Sequence, residues 1–177
     1  GFIGPPLTSD KAVDLMKREI ERRPGERTLV AIGELTNVAA LLKSDPSVGK
    51  KIKRLVLMGG AIAHGYGDDL QPAAEWNIKS NPAAAQVVFA SGVPILMAPL
   101  DVTAMLQLEA AARHRIFTRL TPLSDALTIL YHLWNNEIPI LFDPMAVALI
   151  IDPSLGETET MLIGVDANGF TRLEAGR

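Results

Sequence analysis

In Arg54-Leu55-Val56-Leu57-Met58-Gly59-Gly60 a charged residue leads into an apolar run stopped by two glycines. That is the pattern of a short strand buried on both faces of a parallel sheet. Upstream, Thr28-Leu29-Val30-Ala31-Ile32-Gly33 repeats it, and downstream Pro94-Ile95-Leu96-Met97-Ala98 repeats it again. Between the first two runs, residues 37–43 carry apolar side chains at helical spacing until Asp45-Pro46 breaks the pattern. Between the second and third, Asn81-Pro82 opens a helix over 83–90, with Asn as N-cap and Pro in the first turn, and Gly92 stops it. Ahead of the first strand, Ala12, Leu15, Met16 and Ile20 place a helix over residues 10–23, capped by Ser9 and ended by Pro24-Gly25. Strands alternating with helices of this length are βαβ units, so the fold class is α/β: a mostly parallel sheet with flanking helices.

Three further helices are expected over 104–118, 124–137 and 145–151. Residues 160–165 and 170–173, joined by Asp166-Ala167-Asn168-Gly169, read as a C-terminal β-hairpin. There is no internal repeat and no low-complexity tract, and 177 residues make one domain, 1–177. The chain opens with Gly1-Phe2 rather than Met, so a piece of a longer protein is expected.

Composition excludes several classes. With Lys plus Arg at 17 and Asp plus Glu at 20, the net charge of -3 gives no basic footprint for nucleic acid or an anionic membrane surface. No apolar stretch approaches the roughly 20 residues that span a bilayer, so a soluble protein is expected. Zero cysteine removes disulfides, thiolate nucleophiles and Cys-ligated zinc, and leaves the compartment open between cytoplasm and periplasm or exterior.

In open parallel sheets, ligands sit beyond the carboxyl ends of the strands. That rule selects residues 33–37, 58–77 and 99–103. In Glu75-Trp76-Asn77, a carboxylate and a carboxamide two residues apart point the same way if the segment is extended, which suits a vicinal diol. Spacing alone serves equally well if both residues cap the loop. Thr36 and Asn37 read either as helix N-caps or as a strand-end carbonyl site for a hard cation. Asp101 and Asp143 each precede a helical segment, the position of a cap or dipole partner. His64, His114 and His132 have no metal-ligand spacing; His132 reads as structural, and His64 alone lies in a glycine-rich loop, residues 61–71. Gly59-Gly60 with Gly65 and Gly67 fits neither dinucleotide nor P-loop patterns.

Taken in order, Ala31-Ile32-Gly33-Glu34-Leu35-Thr36-Asn37-Val38-Ala39, Leu57-Met58-Gly59-Gly60-Ala61, Ala74-Glu75-Trp76-Asn77-Ile78, Asn81-Pro82-Ala83-Ala84-Ala85, Leu100-Asp101-Val102-Thr103 and Asp143-Pro144-Met145-Ala146-Val147-Ala148 resemble the inosine-uridine-preferring nucleoside hydrolases. The resemblance implies a Rossmann-like nucleoside hydrolase fold. It implies hydrolysis of the N-glycosidic bond of a ribonucleoside to free base and ribose, with a calcium ion on the sugar hydroxyls and the attacking water. By that analogy the Thr36 carbonyl and the Asp143 carboxylate are calcium ligands. Glu75 and Asn77 hold ribose hydroxyls, Met58 packs against the ring, and residues 61–71 resemble the family's mobile active-site loop. Phe142 stands where many members carry a proton-donating histidine; with Trp76 it points toward the purine-preferring type, in which aromatic side chains stack on the base.

The resemblance also has departures. Glu34 stands where proline is usual and Asn81 where aspartate is usual. The family's N-terminal aspartate cluster, which supplies the general base and further calcium ligands, has no counterpart in residues 1–177. The chain alone is therefore expected to be inactive, working with a companion N-terminal segment or in a homo-oligomer. A non-catalytic binding or assembly module with the same fold is the alternative, and an unrelated α/β nucleotide-binding domain is a third reading.

Overall fold

The computed structural model describes residues 11–135 and 138–174. The expected cap Ser9 and the Glu137 end of the helix over 124–137 lie outside the described residues. The order is α1 (Ala12–Arg22), β1 (Thr28–Ala31), α2 (Thr36–Ser44), a 3₁₀ turn (Pro46–Lys51), β2 (Arg54–Met58), α3 (Trp76–Lys79), α4 (Pro82–Phe89), β3 (Ile95–Ala98) and α5 (Leu100–Thr103). There follow α6 (Ala110–Phe117), α7 (Pro122–Trp134), α8 (Phe142–Ile151), a 3₁₀ turn (Pro153–Leu155), β4 (Ile163–Val165) and β5 (Thr171–Leu173).

The three apolar runs form one parallel sheet in the order β1-β2-β3, with Val30 opposite Val56 and Leu57 opposite Met97. Because side chains alternate along a strand, β2 feeds two cores. Leu55 and Leu57 enter one with Ile20, Leu41, Ile78 and Val88 from α1, α2, α3 and α4. Val56 and Met58 enter the other with Ala98, Leu100, Ala146 and Leu149 from β3, α5 and α8. The four β2 side chains from Leu55 to Met58 are buried, which accounts for the lack of polar residues among them. Among the described residues, no helix is long and apolar enough to cross a membrane.

Two boundaries differ from the sequence pattern. The helix expected over 104–118 begins only at Ala110, because the backbone before it pairs elsewhere: Leu108 N–H donates to Pro139 O at 2.8 Å and Leu141 N–H to Leu106 O at 2.8 Å. In the other direction, α8 starts at Phe142 rather than 145. Pro144 needs no N–H partner in a first turn, so it does not exclude Phe142 and Asp143 from the helix.

The hairpin β4–β5 is antiparallel, as expected, and reaches back to the end of β2. The buried Thr171 hydroxyl accepts from Ala61 N–H at 2.9 Å and donates to Ala61 O at 2.7 Å, imitating a pair of ladder bonds. Gly60, at φ +81°, lies under this contact, where an added Cβ would come within 3.0 Å of Thr171 Cγ2. Thr171→Val keeps the shape but strands both polar groups of the buried Ala61. It is expected to destabilise the protein to urea unfolding by about 1–3 kcal/mol, with Thr171→Ser recovering most of the loss. Identical urea midpoints for Thr171→Val and the parent would show that these bonds do not secure the hairpin.

Candidate active site

Beyond the carboxyl end of β2 the chain turns through Gly59-Gly60 and returns at Glu75, whose side chain is only 2% exposed. A carboxylate so buried needs donors. Its Oε2 accepts three backbone N–H bonds: from Gly60 at 3.1 Å, Asn77 at 3.0 Å and Ile78 at 3.2 Å. Among the described residues no bond falls on Oε1. Burial pushes the Glu75 carboxyl above the usual carboxylate range; the N–H bonds from Asn77, Gly60 and Ile78 offset this in part, while the charge of Asp143 adds to it. The position next door must be glycine-like in size, since a Cβ on Gly59 would stand 3.1 Å from Glu75 Oε2.

The Glu75-Trp76-Asn77 segment is therefore not extended, which corrects the reading from spacing. Glu75 is extended, at φ −64° and ψ 145°, but it caps the single turn α3, and Asn77 lies inside that turn. Asn77 still comes back to the strand end. Its Nδ2 donates to Met58 O at 3.1 Å and lies 3.5 Å from Met58 Sδ. With the amide nitrogen so engaged, no bond falls on Asn77 Oδ1 among the described residues. Met58 is itself buried, so it supports Asn77 from beneath.

Asp143 lies in the first turn of α8, half-buried, with no hydrogen bond or ion pair to its carboxylate among the described residues. Burial raises its carboxyl above the ordinary range. Phe142, beside it, meets the Tyr66 ring edge-on with centroids 6.2 Å apart. Tyr66 Oη in turn accepts from Trp76 N–H at 2.8 Å, while the Trp76 side chain is 70% exposed. Thus Asn77 touches both Met58 and Glu75, the charge of Asp143 is felt at Glu75, and Phe142 and Trp76 are linked through Tyr66.

Thr36, beyond the end of the neighbouring strand β1, bonds to a different set of partners. It is the first residue of α2, not its cap: Leu35 holds the N-cap position without a side-chain bond. The Thr36 hydroxyl donates to Glu34 Oε1 at 2.8 Å and accepts from Asn81 Nδ2 at 2.8 Å. Asn37 is exposed and caps nothing. Asn81 does cap α4, through Ala84 N–H at 3.0 Å.

Asp101 lies in the first turn of α5, the dipole-partner position, but does not cap that helix; its carboxylate holds the loop over 61–71. It accepts from Ile62 N–H at 2.8 Å, Ala63 N–H at 2.6 Å and His64 N–H at 3.2 Å, with His64 Nδ1 at 3.6 Å. Burial would raise its carboxyl, but these backbone bonds prevail and hold it below the usual range. His114 and His132 are exposed, and the His132 ring meets that of Tyr131 edge-on at 5.5 Å between centroids. Tyr66 is the functional neighbour that sequence reasoning missed, although it is the sole aromatic residue between Gly59 and Glu75.

A family model described as inosine-uridine preferring nucleoside hydrolase matches residues 4–176. The pyrimidine-specific ribonucleoside hydrolase RihA of Citrobacter koseri is 39% identical over 185 residues, covering 96% of this chain and 58% of that protein. RihA of Salmonella arizonae is 40% identical with the same coverage. Among solved structures, a purine-preferring ribonucleoside hydrolase from Gardnerella vaginalis matches with a TM-score of 0.82 at 30% identity, over 96% of this chain and 57% of that one. The plant nucleoside hydrolase PpNRh1 matches at 0.79 and 27% identity, over 97% of this chain and 59% of that one. The chain thus spans 58% of the length of the curated relatives it matches. With this fold and these motifs, the chain belongs to the inosine-uridine preferring nucleoside hydrolase family.

Proposed function

We propose that the protein carrying this chain hydrolyses the N-glycosidic bond of ribonucleosides, releasing the free base and ribose. The observation that carries the reading is the convergence of Met58, Glu75 and Asn77 beyond one strand end. Glu75 spends one carboxylate oxygen on the backbone and Asn77 its amide nitrogen. Two acceptors, Glu75 Oε1 and Asn77 Oδ1, are left for sugar hydroxyls. N-glycosidic cleavage passes through an oxocarbenium-like state, so a sugar held by fixed, partly buried acceptors is stabilised most where positive charge develops on the ring. The rigidity comes from the strand end and from the backbone bonds that immobilise Glu75 before substrate arrives.

Calcium would need more than these residues provide. The Asp143 carboxylate, without a donor of its own, and the Thr36 carbonyl are hard oxygen ligands of the right chemistry. Two oxygens do not satisfy an ion that takes about six to eight. No group of three or more His, Asp or Glu able to hold a metal occurs among the described residues. In this reading Asp143 and Thr36 contribute part of a cation site, and activation of water falls to groups outside the described residues.

For the base, two readings have one observation each. The relatives near 40% identity act on pyrimidine ribonucleosides by name. The purine-preferring reading rests on Phe142, an aromatic side chain beside Asp143, together with the exposed Trp76 ring, which suit stacking on a purine.

In the full-length protein, Asn77→Ala is expected to lower kcat/KM for nucleosides by about a hundredfold, near 2.7 kcal/mol of transition-state stabilisation, without a matching fall in Tm. Full activity in that variant would remove the amide from the ribose site. Side-by-side assay of uridine and inosine decides the base. If Phe142 stacks on purines, Phe142→Ala cuts inosine turnover at least tenfold more than uridine turnover, whereas equal losses assign it to packing.

A further inference from the structure

We propose that Tyr66 is a positioning residue of the riboside site, one side chain that fixes both the turn bearing Glu75 and Asn77 and the aromatic wall at Phe142. The inference rests on the reaction proposed above and adds to it the element that holds the site in register.

The geometry begins with α3, a single helical turn too short to be stable by itself. Its opening N–H groups have no partners inside the helix and must be satisfied from outside. Glu75 Oε2 takes those of Asn77 and Ile78. The remaining one, Trp76 N–H, goes to Tyr66 Oη at 2.8 Å. Glu75 and Tyr66 together therefore complete the cap, and loss of either leaves α3 free to rotate its Asn77 away from Met58.

Tyr66 can do this because its own segment is fastened. Thr171 holds Ala61, and Asp101 takes the N–H groups of residues 62, 63 and 64. Just beyond, Gly65 N–H donates to Asp69 O at 2.8 Å, closing a tight turn around Tyr66. Gly65 is required there, since an added Cβ would fall 2.7 Å from Gln71 O. The phenol thus projects from a bonded turn. Its ring meets Phe142 edge-on, at an interplanar angle of 74°, one residue from Asp143. Three segments distant in sequence (the loop over 61–71, α3 and α8) meet at this one side chain.

Two substitutions in the full-length enzyme separate its two contacts. Tyr66→Phe removes only the hydroxyl. It is expected to lower kcat for uridine and inosine alike, about three- to tenfold, and to speed amide exchange at Trp76 by a similar factor. Tyr66→Leu also removes the ring. It is expected to change the inosine-to-uridine ratio of kcat/KM at least fivefold, a selectivity shift that loss of general stability would not produce. Wild-type kcat and wild-type Trp76 exchange in Tyr66→Phe would overturn the proposal, as would losses in both variants that leave selectivity unchanged and track Tm. Should the unaltered enzyme cleave no riboside, the reaction itself fails and the positioning role with it. Cleavage by the unaltered enzyme with an unaffected Tyr66→Phe variant sinks the positioning role alone.

Discussion

A carboxylate that is almost wholly removed from water must be compensated locally, and at Glu75 the compensation is three backbone N–H groups converging on one oxygen. The three donors impose two constraints. Gly60 ties the carboxylate to the end of β2, and Asn77 and Ile78 tie it to α3. The close approach of Gly59 follows, because a Cβ there would stand 3.1 Å from the same oxygen and press on it. Burial of Ile78 in the core beneath then fixes the depth of α3. The polar geometry at the strand end is thus set by one desolvated group, and the double-glycine turn serves that group rather than a phosphate.

Much of the scaffold was legible because it rests on local signals. Apolar runs ended by glycine marked β1, β2 and β3, and Asn81-Pro82 marked the start of α4 with the cap in its expected role. The pentose-facing residues were legible through resemblance, but not their conformation. An alternating reading of Glu75-Trp76-Asn77 assumes a strand. The helical turn is chosen instead because Glu75 caps its own chain two and three residues on, with its oxygen already anchored by Gly60 fifteen residues back. Asp101 was legible only in part: its place in the first turn of α5 is as expected, but a carboxylate opening a helix has the same appearance whether or not it also takes, as here, three N–H groups nearly forty residues upstream. Residues 104–109 read as helix on propensity, and cross-chain bonds to 139 and 141 override it.

The departures from the family's motifs at Glu34 and Asn81 seem unrelated in sequence, lying on separate segments, yet both touch the Thr36 hydroxyl. Proton accounting links them. Ala84 N–H requires an acceptor, so the Asn81 amide presents its oxygen to α4 and its nitrogen to Thr36. Thr36 Oγ1 therefore receives a proton from Asn81, and its own hydrogen must point elsewhere; Glu34 Oε1, at 2.8 Å, is where it goes. An aspartate at 81 would cap α4 equally well, but it would accept from Thr36 and leave a carboxylate at 34 without its donor. A proline at 34 suits that arrangement, because it supplies no acceptor and asks for none. In this chain Glu34 and Asn81 are linked through the direction of one hydroxyl bond, and Thr36, held on both sides, fixes the start of α2 beyond β1.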